Sequence, residues 1–337
     1  MTSLTDGIID IAMRPASQVP DLPLDFAKLS LLDWMTCGIA GTSEPLAVKL
    51  RQLAAGEAGQ PVASVLGGMR VPPRMAALVN GATSHALDYD DTHFAHVGHL
   101  SVGIYPAALA IAEMQDTSAE EMIVAFLLGA EGAIRVGMTL GRAHYNHGFH
   151  QTATAGAFGA TLTVGRLLGL DCSQMYHALG LCATRASGLT SQFGSMGKPY
   201  NAGVAAANGV ECATLAGLGF TSADDGLMGH QGFVGAHLPG SGESTGPDLT
   251  FDSYKFPDNK YKLHACCHGL HAMIEALQTS EVVGGIPLED ISAFSLWTNP
   301  RWLAVCDIKR PRTGLEVKFS YNWLAGMTLR GDDTGDD

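Results

Sequence analysis

Apolar residues recur at three- and four-residue intervals through most of this chain, a period that predicts helices. Residues 24–40 place Phe26, Leu29, Leu32 and Met35 at that spacing after Pro23; Gly41-Thr-Ser then breaks the run and Pro45 opens the next. The short run VASVL at 62–66 ends in Gly67-Gly68 and reads as a small strand or hairpin arm. Pro72-Pro73 opens a helix through Met75, Leu78 and Val79, and further helices are predicted over 101–114, 118–140, 150–170, 173–190 and 199–219. Ser118-Ala-Glu-Glu121 has the spacing of a capping box. The pattern changes at 238–253, LPGSGESTGPDLTFDS, which reads as a linker. Beyond it 266–278 looks helical, whereas ISAFSLWT at 291–298 alternates as a strand does. The ending LRGDDTGDD carries no packing pattern and is expected to fray. The prediction is a mainly α protein, with an all-α domain over 1–245 and part of an α+β domain over 250–330.

Forty-one glycines sharpen the picture, because Gly inside a helix costs about 0.5–1 kcal/mol relative to Ala. Close backbone approach between buried helices is the usual compensation, so tight helix packing is expected. A formal charge of −13 argues against nucleic acid and anionic membrane surfaces as partners. No run of apolar residues long enough to span a membrane escapes interruption by glycine or charge. The N-terminus lacks the basic, apolar and small-residue regions of a secretory signal. Seven scattered cysteines with no CxxC pair read as reduced, cytoplasmic thiols.

Candidate chemistry concentrates at 80–106, NGATSHALDYDDTHFAHVGHLSVGIYP, where His85, Asp88, Asp90, Asp91, His93, His96 and His99 crowd together. Charged residues are only 16% of the chain, so this cluster needs a local reason. If the preceding helix continues, His85, Asp88 and Thr92 share one face, joined by Asp91. Carboxylate beside imidazole is what general base work requires. The bland reading leaves the aspartates as helix exits and the histidines on a loop. DYDDT also fits the DxDxT form of aspartyl-phosphate chemistry, but that motif belongs at a strand end and NGATSHAL reads as helix. An EF-hand fails, with His93 at the sixth position and His99 at the twelfth.

Three further segments bear on the same chemistry. Asn146-His147-Gly148 reads as a turn that starts a helix at His150, where free N–H groups favour an anion; His144 and His147 read as polar loop. In GSMGKPY, Lys198 stands beside Pro199 at a helix start, as a carboxylate clamp or a solvated lysine. KYKLHACCHGLHA gathers Lys260, Lys262, His264, Cys266, Cys267, His268 and His271. A zinc reading stays open there, although adjacent Cys266 and Cys267 diverge and leave at most two or three converging ligands.

NGATSHALDYDDTHFAHVGHLSVGIYPAALAIAE, GFHQTATAGAFGATLTVGRLLGL, GKPYNAGVAAANGVECATLAGLGF and KLHACCHGLHAMIEAL resemble, in order and spacing, the signature blocks of the MmgE/PrpD family. That family includes 2-methylcitrate dehydratase, cis-aconitate decarboxylase and iminodisuccinate epimerase. The resemblance implies an all-α domain with a smaller α+β lid, a homodimer, and a site without metal or cofactor. It implies Asp88, His99, His150 and Lys198 as catalytic residues and Thr92, Lys262, Cys267 and His271 as substrate-binding residues, with Asp88 orienting His99. The decarboxylase branch would place a tyrosine where this chain has Trp323, which weakens that reading; the dehydratase comes first because the wider family is mostly assigned that way. The chain ends before the family pattern does. The expected activity is a lyase removing a proton beside a carboxylate of a di- or tricarboxylic acid, 2-methylcitrate dehydratase-like; an epimerase or an inactive dimerising scaffold are the alternatives.

Overall fold

A computed structural model describes residues 3–57, 59–238, 250–280 and 286–335. Ten helices fill the chain to residue 237: α1 Leu4–Ala12, α2 Asp21–Ala40, α3 Pro45–Gly56, α4 Pro73–Ser84, α5 Ser101–Gln115, α6 Ala119–Asn146, α7 Gln151–Leu167, α8 Cys172–Arg185, α9 Gly197–Gly217 and α10 Phe233–His237. Among the described residues four follow: α11 His268–Thr279, α12 Pro300–Cys306, α13 Gly314–Val317 and α14 Tyr321–Arg330. Among the described residues the regular sheet is one antiparallel pair, β1 Ala63–Ser64 with β2 Arg70–Val71, in the register Ala63 to Val71. The protein is mainly α.

Local signals set most of these boundaries. Pro45 and Pro73 stand in the first turns of α3 and α4. Ser118 caps α6 by accepting from the Glu121 N–H, at 3.2 Å. At the other end of that helix the chain turns at Gly141, φ 61°, a conformation that glycine adopts without a Cβ penalty.

The chain divides into two compact units. One comprises Met1–Ala86, Asp90–Ser191 and Pro199–Tyr261; the other Leu87–Tyr89, Gln192–Lys198 and Lys262–Asp337. The first unit has its core between α1, α2 and α4 to α9. One cluster joins Trp34, Tyr105, Phe126 and Ile134; a second joins Ile8, Phe158, Leu162 and Leu179. The expected close packing is present: a Cβ at Gly129 of α6 would lie 2.5 Å from the Gly159 carbonyl oxygen of α7. Helix α6 is long and apolar enough to cross a membrane, but 89% of its apolar window is buried inside this structure. Within it, Glu131 accepts from the Lys255 and Phe256 N–H groups at 2.6 and 2.7 Å, and Arg135 donates to the Ser253 carbonyl at 2.9 Å. Two buried charges on one turn thereby fix the segment that returns to the core after the linker.

In the second unit α11 packs on α12 and α14 through Leu270, Ile274, Cys306, Tyr321 and Leu324. Two expectations resolve differently here, and a third falls mostly outside the described residues. Most of the linker read at 238–253 lies outside the described residues. Residues 291–298 form no strand: alternation supplies two faces but no ladder partner is present among the described residues, and Trp297 is 94% exposed. The polar ending is held, because Thr334 is buried, its carbonyl accepts from the Ala265 N–H at 2.9 Å, and its hydroxyl lies 2.7 Å from His264 Nδ1.

Candidate functional site

Helix α4 ends at Ser84 and His85 is its C-cap, so the single helical face predicted for His85, Asp88 and Thr92 does not form. Asp88 has φ 52°, in the left-handed region, which reverses the chain direction two residues before Asp90. By its contacts Asp88 belongs to the second unit, and His85, Asp90 and His99 belong to the first.

In the first unit Asp90 is fully buried between two imidazoles. Its Oδ1 lies 2.7 Å from His85 Nδ1 and its Oδ2 lies 2.7 Å from His99 Nδ1. The His99 contact lies off the ideal hydrogen-bond direction, yet at that distance a proton must separate the two atoms. Burial works to raise the Asp90 carboxyl pKa, but both imidazoles outweigh it and hold the group well below the usual carboxylate range. The His85 ring meets His99 edge-on at 4.5 Å between centroids and stacks on His150 at 6.2 Å. His150 is the N-cap of α7, and its Nδ1 lies 3.1 Å from the Asn201 amide of α9. Thr152, the second residue of α7, accepts from the His99 backbone N–H at 3.0 Å.

Asp91 faces the other way. Its Oδ2 accepts from the Ser101 hydroxyl at 2.5 Å and from the Asn259 amide at 2.6 Å, and burial pushes its carboxyl up. Adjacent carboxylates are therefore set apart, Asp90 toward the charged form and Asp91 toward the neutral one. Thr92 is fixed through its backbone, in a bridge with Lys260 at 2.8 Å in both directions. His93 and His96 are structural. His93 Nε2 lies 2.9 Å from the Lys255 carbonyl; His96 Nδ1 lies 3.1 Å from the Ala133 carbonyl, and burial drives the His96 pKa down to about 3. His144 bonds Thr154 and packs on Phe149 inside the core.

In the second unit Asp88 receives two buried lysines. Lys198 Nζ donates to Asp88 Oδ1 at 2.7 Å, and Lys262 Nζ donates to the same oxygen at 2.8 Å and to the Asp88 carbonyl at 2.5 Å. Lys198 also sits 5.3 Å from the Phe319 ring centroid, a cation–π distance. Two ammonium groups against one carboxylate leave a net positive charge in a buried setting. His271 is close by: burial, then Lys262, lowers its pKa to about 3. Cys267 caps α11 and its thiol bonds Cys306, which lowers the Cys267 pKa while burial opposes.

The structure thus joins Asp88 with Lys198 and Lys262 as one group, and His99 with His150 through His85 as another. Asp90 meets His99 at 2.7 Å, a pairing that the reading of Asp88 as the orienting carboxylate did not include. His85 and Asn201 were also missed as partners. Only the five-residue step from His85 to Asp90 hinted at the pairing, and the helical-face argument pointed past it.

One ligand atom each of His85, Asp90 and His99 lies within 4.8 Å of the others. A tetrahedral ion about 2.0–2.2 Å from its ligands spaces them about 3.4 Å apart, so N···O contacts at hydrogen-bond length suit shared protons. At 264–271 the zinc reading loses its ligands to other bonds. His264 meets Thr334 and Cys267 meets Cys306, and among the described residues these side chains do not converge.

A mainly helical protein carrying one buried imidazole–carboxylate cluster and one buried lysine–carboxylate cluster is equipped for proton transfer and for anion binding. Residues 11–244 match the MmgE/PrpD N-terminal domain. The chain belongs to the MmgE/PrpD family. It is 31% identical over 276 residues to a cis-aconitate decarboxylase of Aspergillus terreus, covering 77% of this chain and 56% of that one. A cis-aconitate decarboxylase-like protein of Aspergillus oryzae is 30% identical over 279 residues, 78% of this chain and 58% of its own. The human cis-aconitate decarboxylase is 28% identical over 206 residues, 59% of this chain and 43% of its own. The chain spans about half the length of the curated relatives it matches.

Proposed function

We propose that this chain carries the proton-transfer machinery of a lyase acting on a di- or tricarboxylic acid. The observation that carries the proposal is Asp90, buried and ionised between His85 and His99. A carbon acid beside a carboxylate is weak, so its proton needs a positioned acceptor and the charge that develops needs fixed donors. His99 is the base or acid in this reading, with its Nδ1 against Asp90. Lys198 and Lys262 supply the net positive charge that a substrate carboxylate requires, and His150 at the start of α7 is the second proton carrier.

Two reactions use these parts. In decarboxylation a C–C bond breaks, CO2 leaves, and the electron pair on carbon takes a proton from an imidazolium. In dehydration the imidazole removes a C–H proton and the departing hydroxyl is protonated. The matched relatives named as cis-aconitate decarboxylases support the first, so cis-aconitate heads the substrates to test. The second is kept because a departure from the family pattern weakens the first. By the resemblance, Trp323 takes the position that the decarboxylase branch gives to a tyrosine, and the nearby Tyr321 hydroxyl donates to the Gly269 carbonyl at 2.9 Å. It is not available as a replacement donor.

The test is incubation in D2O with cis-aconitate, 2-methylcitrate, citrate and iminodisuccinate, followed by NMR for carbon-bound deuterium and new species. Loss of CO2 from cis-aconitate selects the decarboxylase; exchange or water loss on 2-methylcitrate selects the dehydratase. A folded sample that neither exchanges nor converts any of the acids sinks the enzyme reading and leaves a scaffold.

A further inference from the structure

Asp90 offers both of its oxygens to imidazole Nδ1 atoms, one to His85 and one to His99, each at 2.7 Å. The His85 contact has hydrogen-bond direction and the His99 contact has the distance alone; an ionised Asp90 can only accept, so the shared protons then belong to the two Nδ1 atoms, whether each ring is neutral or charged. A carboxylate accepts twice; an amide of the same shape accepts once and donates once. The carboxylate is therefore required by the number of rings it serves, and not only by its charge. His85 has no exposure, lies edge-on to His99 at 4.5 Å and stacks on His150 at 6.2 Å, so it occupies the space between the two histidines assigned to proton transfer.

We infer that Asp90 is a shared acceptor that locks His85 and His99 together in the Nδ1–H form, and that His85 is a positioning residue for His99. His85 does not need to touch substrate in this arrangement. It fills one oxygen of Asp90, which leaves the other as the sole seat for His99, and it walls the ring into the one orientation that presents Nε2. The inference rests on the proposed role of His99 only for its effect on turnover; the tautomers belong to the substrate-free protein.

Histidine side-chain 15N NMR on the full chain is the direct test. The wild type is expected to show His85 and His99 both protonated at Nδ1 near neutral pH. Asp90→Asn is expected to convert one of the two rings to the Nε2–H tautomer while circular dichroism stays unchanged. A wild type with either Nδ1 bare, or a folded Asp90→Asn protein that keeps both rings in the Nδ1–H form, overturns the lock. His85→Asn places an amide donor near the Nδ1 position, and His85→Leu removes it. If the family reaction is detected, His85→Leu is expected to lower kcat by about tenfold or more with KM little changed, since a positioned base is worth about 10²–10⁴-fold. His85→Asn then restores most of that rate. Equal losses in both variants, or a loss confined to KM, would reject the positioning role. Absence of turnover on every acid tested would fail the functional proposal while leaving the NMR result to decide the tautomer lock.

Discussion

Two buried carboxylates two residues apart do different work because their partners differ. Asp90, in the first unit, holds two imidazoles; Asp88, in the second, holds two ammonium groups. An imidazole that loses its carboxylate sheds a proton near neutral pH and becomes an ordinary buried ring. A lysine must depart far from its usual pKa to do the same. The first cluster sets imidazoles on a carboxylate and the second sets ammonium groups on one, the division that the proposed function uses for proton transfer and carboxylate binding respectively.

The largest expected effect tests that contrast. Asp88→Leu strands Lys198 and Lys262 and is expected to cost about 3–5 kcal/mol, whereas Asp90→Leu leaves dischargeable rings and is expected to cost about 1–3 kcal/mol. Denaturant unfolding of the two variants measures the gap, and equal losses would break the comparison. Next, His99→Asn is expected to reduce turnover about 10²–10⁴-fold with the melting temperature nearly kept, because its proposed role is proton transfer and not support. Deuterium exchange and melting on the same sample separate the two.

A pH series sharpens the first unit further. The folded pKa of His96 is about 3, below the unfolded value of about 6.5, so between those pH values the unfolded chain binds the proton and the folded chain does not. Stability is therefore full above about pH 6.5 and falls on acidification, by about 1.4 kcal/mol per pH unit for this one group. Asp90 acts lower: its stabilisation is present above about pH 3.9 and is lost as pH falls through its depressed folded pKa. Replacing His96 by Asn, which keeps a donor toward the Ala133 carbonyl, is expected to flatten the upper slope in melts between pH 4 and 7; an unchanged slope counts against the assignment.

For the second unit, citrate at a hundredfold excess over its Kd is expected to stabilise the protein by about 2.7 kcal/mol, and Lys198→Met is expected to abolish most of that gain. Persistence of the full shift would move the anion site elsewhere. Smallest of all, Trp297→Ser on the exposed 291–298 segment is expected to change stability by no more than about 0.5 kcal/mol.

Much of the helical framework was legible because its signals are local. Pro45 and Pro73 near helix starts, the Ser118 cap and the 3.6-residue period act over a few residues and need no distant partner. The same holds for His150, whose turn at 146–148 leads to a helix N-terminus in the structure. The strand read at 291–298 fails for the complementary reason: alternation is local, but a ladder needs a second strand. Thr334 likewise carried no packing signal, since His264, seventy positions away, is what holds it.

For the crowded stretch at 80–106, the chain by itself determined which chemical groups would be present: imidazoles and carboxylates beside a helix end, with lysines farther on. Only the tertiary structure decided which carboxylate meets which cation. Asp88 finds Lys198 and Lys262 across separations of 110 and 174 residues, while Asp90 turns back to His85 and forward to His99. The physical reason is the end of α4 at Ser84 and the left-handed backbone at Asp88, which break the helical face and let two nearly adjacent carboxylates take different partners. Residue type follows from sequence, but pairing depends on distance, and the fold alone sets the distances.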